Sequence, residues 1–174
     1  NEELLSSSAF PAQAVITNLT RRGRVMNFDV DASERFAATE IKGRLGQSAL
    51  SLLYDRTDWT GESWLAVQVI PSYRLEDDRL LSVGVPVGEV SSFKSWGSRL
   101  ANCVLLTQNE AREYHQLDFE DWVTSRSDVW LNNHLLPTNF GLYHERCFLD
   151  FIKARTELIG AHLASLFAES TMAG

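Results

Sequence analysis

The chain has 174 residues, of which 44% are hydrophobic, and a formal net charge of -7 at neutral pH. That length suits one domain with one continuous core, and the acidic balance argues against a surface built wholly to coat a phosphate backbone, leaving room only for a local basic groove. Arg, Asp or Glu interrupts every apolar run before the ~20 residues that a membrane helix needs, and Cys103 and Cys147, with no Cys-x-x-Cys spacing, signal neither a zinc cage nor a disulfide framework.

The first nine residues lack the basic start and long apolar run of a secretory signal. The expectation is a cytoplasmic chain, cut from a larger protein. No internal repeat is visible, and Ser6-Ser7-Ser8 is the sole low-complexity tract. Arg21, Arg22 and Arg24 form the one dense basic cluster, which reads as a solvated helix end. Residues 33–54 place Phe36, Ile41, Leu45, Ala49, Leu52 and Leu53 at mostly helical spacing. They predict one long helix with Ser33 as its cap. Gly43 and Gly46 either weaken that helix or mark close approach of another element.

Asp58-Trp59-Thr60-Gly61 reads as a turn, and residues 64–70, ended by Pro71, as a short buried strand. Residues 84–97 hold three glycines, Pro86 and several serines, so a long loop is expected. A second strand over 100–106, a two-turn helix over 109–115 and a helix over 119–131 follow, the last capped by Asp118 with a possible break at Ser125 to Ser127. From about residue 144 to 168, Phe148, Phe151, Ile152, Leu158, Ile159, Leu163, Leu166 and Phe167 line one face of a terminal helix. The fold class is therefore α+β and mostly helical, in a single domain: a helical part over 1–60, a strand-bearing unit over 61–115 and a helical part over 116–174.

No phosphate-binding glycine loop, GxSxG elbow or HExxH pair is present. His115, His134, His144 and His162 share no helical face at four-residue spacing and read singly as surface or capping residues. The informative feature is an order of segments. Val67-Gln68-Val69-Ile70-Pro71 precedes Leu100-Ala101-Asn102-Cys103-Val104-Leu105-Leu106-Thr107-Gln108-Asn109; then come Trp122, His134-Leu135-Leu136-Pro137 and Phe148-Leu149-Asp150-Phe151-Ile152-Lys153-Ala154-Arg155.

Over roughly residues 34–167 this order resembles the C-terminal His-Asn-His (HNH) nuclease domain of GmrSD-type modification-dependent restriction enzymes and related phage-defence proteins. In that family an Asp-His-Ile-x-Pro strand precedes a Gly-Asn-Leu-x-Leu-Leu strand, an Asn heads the next helix, and the chain ends in a helix with a Phe-x-x-x-Arg-like pattern. The resemblance implies a small ββα-metal unit embedded among helices, holding Mg2+ or another divalent cation that stabilises the scissile phosphate of DNA. It also implies an upstream nucleotide-hydrolysing domain of the same protein as partner. Carried over residue by residue, Gln68 stands at the position of the family's histidine base, Asn102 orients that base or shapes the hairpin, and Asn109 gives an oxygen to the metal. Arg74, Lys94 and Arg99 are the candidate phosphate contacts.

The chain departs from the family where the chemistry is done. Registered on Pro71, the family's Asp falls on Val67 and its His on Gln68. A valine binds no metal and an amide takes no proton near neutral pH, so hydrolysis by this route is expected to be lost or nearly so. Glu76, Asp77 and Asp78 are carboxylates just downstream, read as an exposed acidic turn. Three functions stand side by side: an HNH-type DNA endonuclease domain, impaired by those two changes; a non-catalytic DNA-binding or protein-interaction module on a degenerate HNH scaffold; and a structural helical domain whose resemblance is accidental. The second predicts salt-sensitive DNA retention without product.

Overall fold

The structure, a computed structural model, describes residues 29–42, 44–54 and 63–172. The basic cluster at 21–24, the Ser6-Ser7-Ser8 tract, Gly43 and the turn expected at 58–61 lie outside the described residues.

Helix α1, Val30–Ala37, begins where the Asp29 carboxylate accepts the Ala32 amide at 2.8 Å, one turn before the expected cap. Ser33 lies inside this helix with its hydroxyl on the Asp29 carbonyl. The single helix expected over 33–54 is in fact two. After Ala37 the chain forms an isolated bridge between Glu40 and Arg99 and re-enters as α2, Arg44–Leu52. The cause is tertiary: the Ile41 amide donates to the Ser98 carbonyl and the Leu100 amide to that of Thr39, so this stretch pairs with distant backbone. Gly46 permits the fold-back, since a Cβ there would collide with the Glu40 carbonyl and lie 2.6 Å from the Ile41 Cα.

Strands β1, Trp64–Gln68, and β2, Cys103–Thr107, form a two-stranded antiparallel sheet with Trp64 opposite Thr107 and Gln68 opposite Cys103. Both are shorter than expected: β1 stops at Gln68, and residues 100–102 form a 3-10 turn before β2. Nor is β1 the buried strand expected, since its residues are half-buried or exposed while those of β2 enter the core. The segment between the strands holds α3, Asp77–Ser82, and α4, Val90–Gly97. The latter corrects the loop expected over 84–97. Gly84, at φ 86°, ends α3, and the Pro86 turn leads into α4. Phe93 is then buried and Trp96 half-buried, while Leu75 approaches a Cβ position on Gly97 to 3.2 Å. The serines that suggested a loop sit on the exposed side of α4.

Helix α5, Gln108–Gln116, follows β2 directly through a capping box in which Thr107 and Glu110 exchange hydrogen bonds. Helices α6, Phe119–Thr124, and α7, Asp128–Asn133, are capped by Asp118 and Ser127, so the helix expected over 119–131 is interrupted at 125–127. The terminal helix α8, Phe148–Met172, starts after a 3-10 turn at Glu145–Cys147 rather than at residue 144.

The fold is α+β and mostly helical with this one small sheet among the described residues. One apolar cluster packs Trp122, Tyr143, Phe93, Phe148 and Phe151 around Val104 and Leu106. A second joins Leu50 and Tyr54 of the α2 end to Cys103, Leu105 and the Ile159, Leu163 and Leu166 face of α8. Alternate residues of β2 thus enter opposite clusters, which makes β2 the wall between them. No helix among the described residues is long and apolar enough to cross a membrane.

Candidate functional site

The resemblance points to the root of the hairpin, where β1 ends and β2 begins. Asn102 is fully buried there. Its Oδ1 accepts the Ile70 amide at 2.9 Å, and its Nδ2 donates to the carbonyls of Ile70 and Gly97, each at 2.9 Å. One side chain therefore ties the end of β1, the end of α4 and the start of β2. Gln68 is drawn to the same point: its Nε2 donates to the Gly97 carbonyl at 2.9 Å and its Oε1 accepts the Ser72 amide at 3.1 Å. Gln68 and Asn102 thus meet on one carbonyl oxygen, and both amides are engaged by backbone.

Asn109 is not part of this cluster. It is exposed in the first turn of α5, its Oδ1 accepting from Arg112 at 3.3 Å. The five residues of β2 separate it from the root, roughly 17 Å at strand rise. The amide trio of the resemblance therefore does not converge on one cation. Among the described residues no three His, Cys, Asp or Glu side chains are grouped as a metal site would need, and Asp77 and Asp78 lie exposed in the first turn of α3.

The three cations expected at phosphate are engaged internally. Arg74 corrects that expectation most clearly. Its side chain is 6% exposed and lies 3.0 Å from Glu120, 3.2 Å from Glu145 and 3.6 Å from Asp118. Burial works against its charge, yet the bonds to Glu120, Tyr73 and Glu145 prevail and raise its pKa. Arg99 bonds the Ser95 and Ala38 carbonyls and pairs with Glu40 at 3.4 Å. Lys94 is exposed, with Asp77 at 2.8 Å.

What does face the Gln68 position is a pocket of about 480 Å³ containing Val67, Ser72, Tyr73, Tyr114 and His115. Tyr114 and His115, at the end of α5, come to β1 because α5 runs back over the sheet after leaving β2. Spacing could not reveal this, since the partners are some 47 residues apart and share no helix face. The thiol of Cys103, beside the root, is pushed up to about 11 by burial, so it stays protonated and is a poor nucleophile.

Two further polar groups escaped the sequence reading. Arg155, quoted only as part of a helix pattern, is fully buried and donates to the Ala101 carbonyl at 3.0 Å and the Cys103 carbonyl at 2.6 Å. It bolts the hairpin root to α8. Glu110 accepts from the Thr107 amide and hydroxyl and, at 2.7 Å, from the Trp130 indole. Against the opposing effect of burial, these bonds hold its carboxyl below the usual range. His134 stacks on Trp130 at 3.9 Å with Nδ1 2.9 Å from the Trp130 carbonyl, and burial lowers its pKa.

No family model matches the chain, and a search of curated proteins gives no match.

Proposed function

We propose that the chain is a degenerate HNH-type ββα unit, descended from a DNA endonuclease domain of the restriction or phage-defence kind, that acts as a non-catalytic module within a larger DNA-processing protein. The observation that carries this reading is the meeting of Gln68 and Asn102 on the Gly97 carbonyl. Antiparallel strands leading straight into a helix, with a buried asparagine tying their root, match the order that the resemblance implies, while Asn109 at the head of that helix stands apart from the root. At the reactive position, however, the amide is bound to backbone and its neighbour is Val67, so neither a base nor a metal ligand is supplied there.

The matched cations favour protein contact over DNA contact. Bringing Arg74 to a phosphate would take it from Glu120 and from the buried Glu145, whose side chain is 1% exposed, and leave that carboxylate to Arg79 alone. The neighbour that the resemblance supplies is an upstream nucleotide-hydrolysing domain.

The test is a plasmid assay with Mg2+ or Mn2+. The chain leaves supercoiled DNA intact and retains none at physiological salt, and nicking by the unmodified chain overturns the proposal. The double variant Val67→Asp/Gln68→His checks the descent. It gains calorimetric Mn2+ binding and slow nicking, and a folded double variant with neither property rules the HNH scaffold out.

A further inference from the structure

On the side of the molecule built by α1, α4 and α8 lies an open groove of about 860 Å³, lined mainly by apolar surface. Trp96, Leu149 and Ile152 form its floor, and Gly160, Ala161 and Ala164 keep one wall low. Helix α1 packs closely on α8 at one side of the groove, where a Cβ on Gly160 would lie 2.6 Å from the Ser33 hydroxyl. Along α8 the lining runs from Leu149 to Ala164, roughly 22 Å at helical rise, the length of about four turns of a second helix.

The rim carries charge of one predominant sign. Glu34 and Glu157 are exposed carboxylates, Asp29 adds a third that also caps α1, and Lys153 is the single cation among the described lining residues. We propose that this groove docks an amphipathic helix of a partner protein, with its apolar stripe on Trp96 and Ile152 and basic residues beside Glu34 and Glu157. An apolar trough of helical length sets the shape of the occupant, and the acidic rim sets its sign. A second copy of this chain, at net charge -7, brings like charge to the same rim. The inference rests on the lining of this groove and does not depend on the HNH reading.

The experiment titrates the full chain against two labelled 18-residue helical peptides, one Leu/Lys and one Leu/Glu with the same apolar pattern, by fluorescence anisotropy. The Leu/Lys peptide binds saturably, and the Leu/Glu peptide binds at least tenfold more weakly. Ala164→Trp, which fills the trough from an exposed position, and Glu34→Lys/Glu157→Lys each weaken the Leu/Lys peptide tenfold or more. Asp128→Lys, an exposed acid outside the groove, changes binding less than twofold. Equal binding of both peptides, or equal losses in Ala164→Trp and Asp128→Lys, reduces the effect to general acidity and overturns the proposal. A dimer in sedimentation that Ala164→Trp dissolves reassigns the groove to a second copy. Tight binding of a synthetic peptide of residues 1–28, abolished by Ala164→Trp, reassigns it to this chain. Either outcome overturns the partner helix.

Discussion

Two arginines are buried among the described residues, and they are held in opposite ways. Arg74 sits among three carboxylates from two segments, Asp118 and Glu120 at the start of α6 and Glu145 in the turn before α8. Arg155 donates to backbone carbonyls and lies near Tyr54, Tyr143, Cys103 and His134, none of them a carboxylate, so dipoles rather than anions stabilise its charge. Burial pulls the Arg155 pKa down, whereas the carboxylates beside Arg74 outweigh burial and raise its pKa. The difference teaches that a cation in a sequence declares neither its exposure nor its partner. Arg74 is a strut from the 3-10 turn at Ser72–Leu75 to α6 and the Glu145 turn, and Arg155 is a bolt between β2 and α8.

The comparison is broken most severely at the bolt. Arg155→Ala loses two charge-assisted bonds and leaves a void, for a cost of about 3–5 kcal/mol in urea denaturation. Arg155→Lys recovers little, because one ammonium does not reproduce the fork that spans Ala101 and Cys103. No carboxylate bonds Arg155, so protonation of carboxyl groups in acid does not relieve this loss.

Next in size is the hairpin root that the bolt holds. Asn102→Ala removes three buried bonds, about 2–4 kcal/mol. Asn102→Asp costs at least as much at pH 7, since it turns a carboxylate oxygen towards the carbonyls of Ile70 and Gly97. It regains stability as pH falls, because the protonated acid donates one of the two bonds. A pH-independent Asn102→Asp variant removes the assignment of Nδ2 to those carbonyls.

Arg74→Met costs about 2–3 kcal/mol at neutral pH, Arg79 at 2.8 Å remaining to hold Glu145. Here acid separates strut from bolt. Burial opposes the Glu145 charge, but a backbone bond, Arg79 and Arg74 prevail, and its folded pKa lies below its ordinary value. A depressed carboxyl contributes stability above the unfolded pKa and loses it as pH falls through the folded one. The penalty of Arg74→Met therefore shrinks below about pH 4.5, while that of Arg155→Ala does not. Equal acid profiles for the two variants would sink the comparison.

The smallest effect is at His134. Burial lowers its pKa, so the folded state resists a proton that the unfolded chain accepts, and stability declines as pH drops below about 6.5. His134→Phe keeps the stack on Trp130 and flattens the stability profile below about pH 6.5.

Much of the scaffold was legible because its signals are local. The apolar face of α8, the Asp118 cap and the break at 125–127 follow from periodicity and from residues that bond the nearest amides. The strand cores of β1 and β2 were legible too, as short apolar runs beside Pro71 and before the Thr107 cap. Helix α4 was hidden by glycine and serine, residues that lower helix propensity but are tolerated where Phe93 and Trp96 bury one side. The split of residues 33–54 was hidden for a different reason: Ile41 and Thr39 find backbone partners about sixty residues away.

At the candidate site, the sequence by itself determined the residue types: an amide and a valine where a nuclease needs an imidazole and a carboxylate, and an asparagine at the start of β2. Only the tertiary structure decided that Gln68 and Asn102 share the Gly97 carbonyl, that Asn109 stands at the far end of the sheet and that Arg74 faces inward. Chemical identity is fixed one residue at a time, whereas hydrogen bonds and ion pairs depend on distances that arise only when remote segments pack.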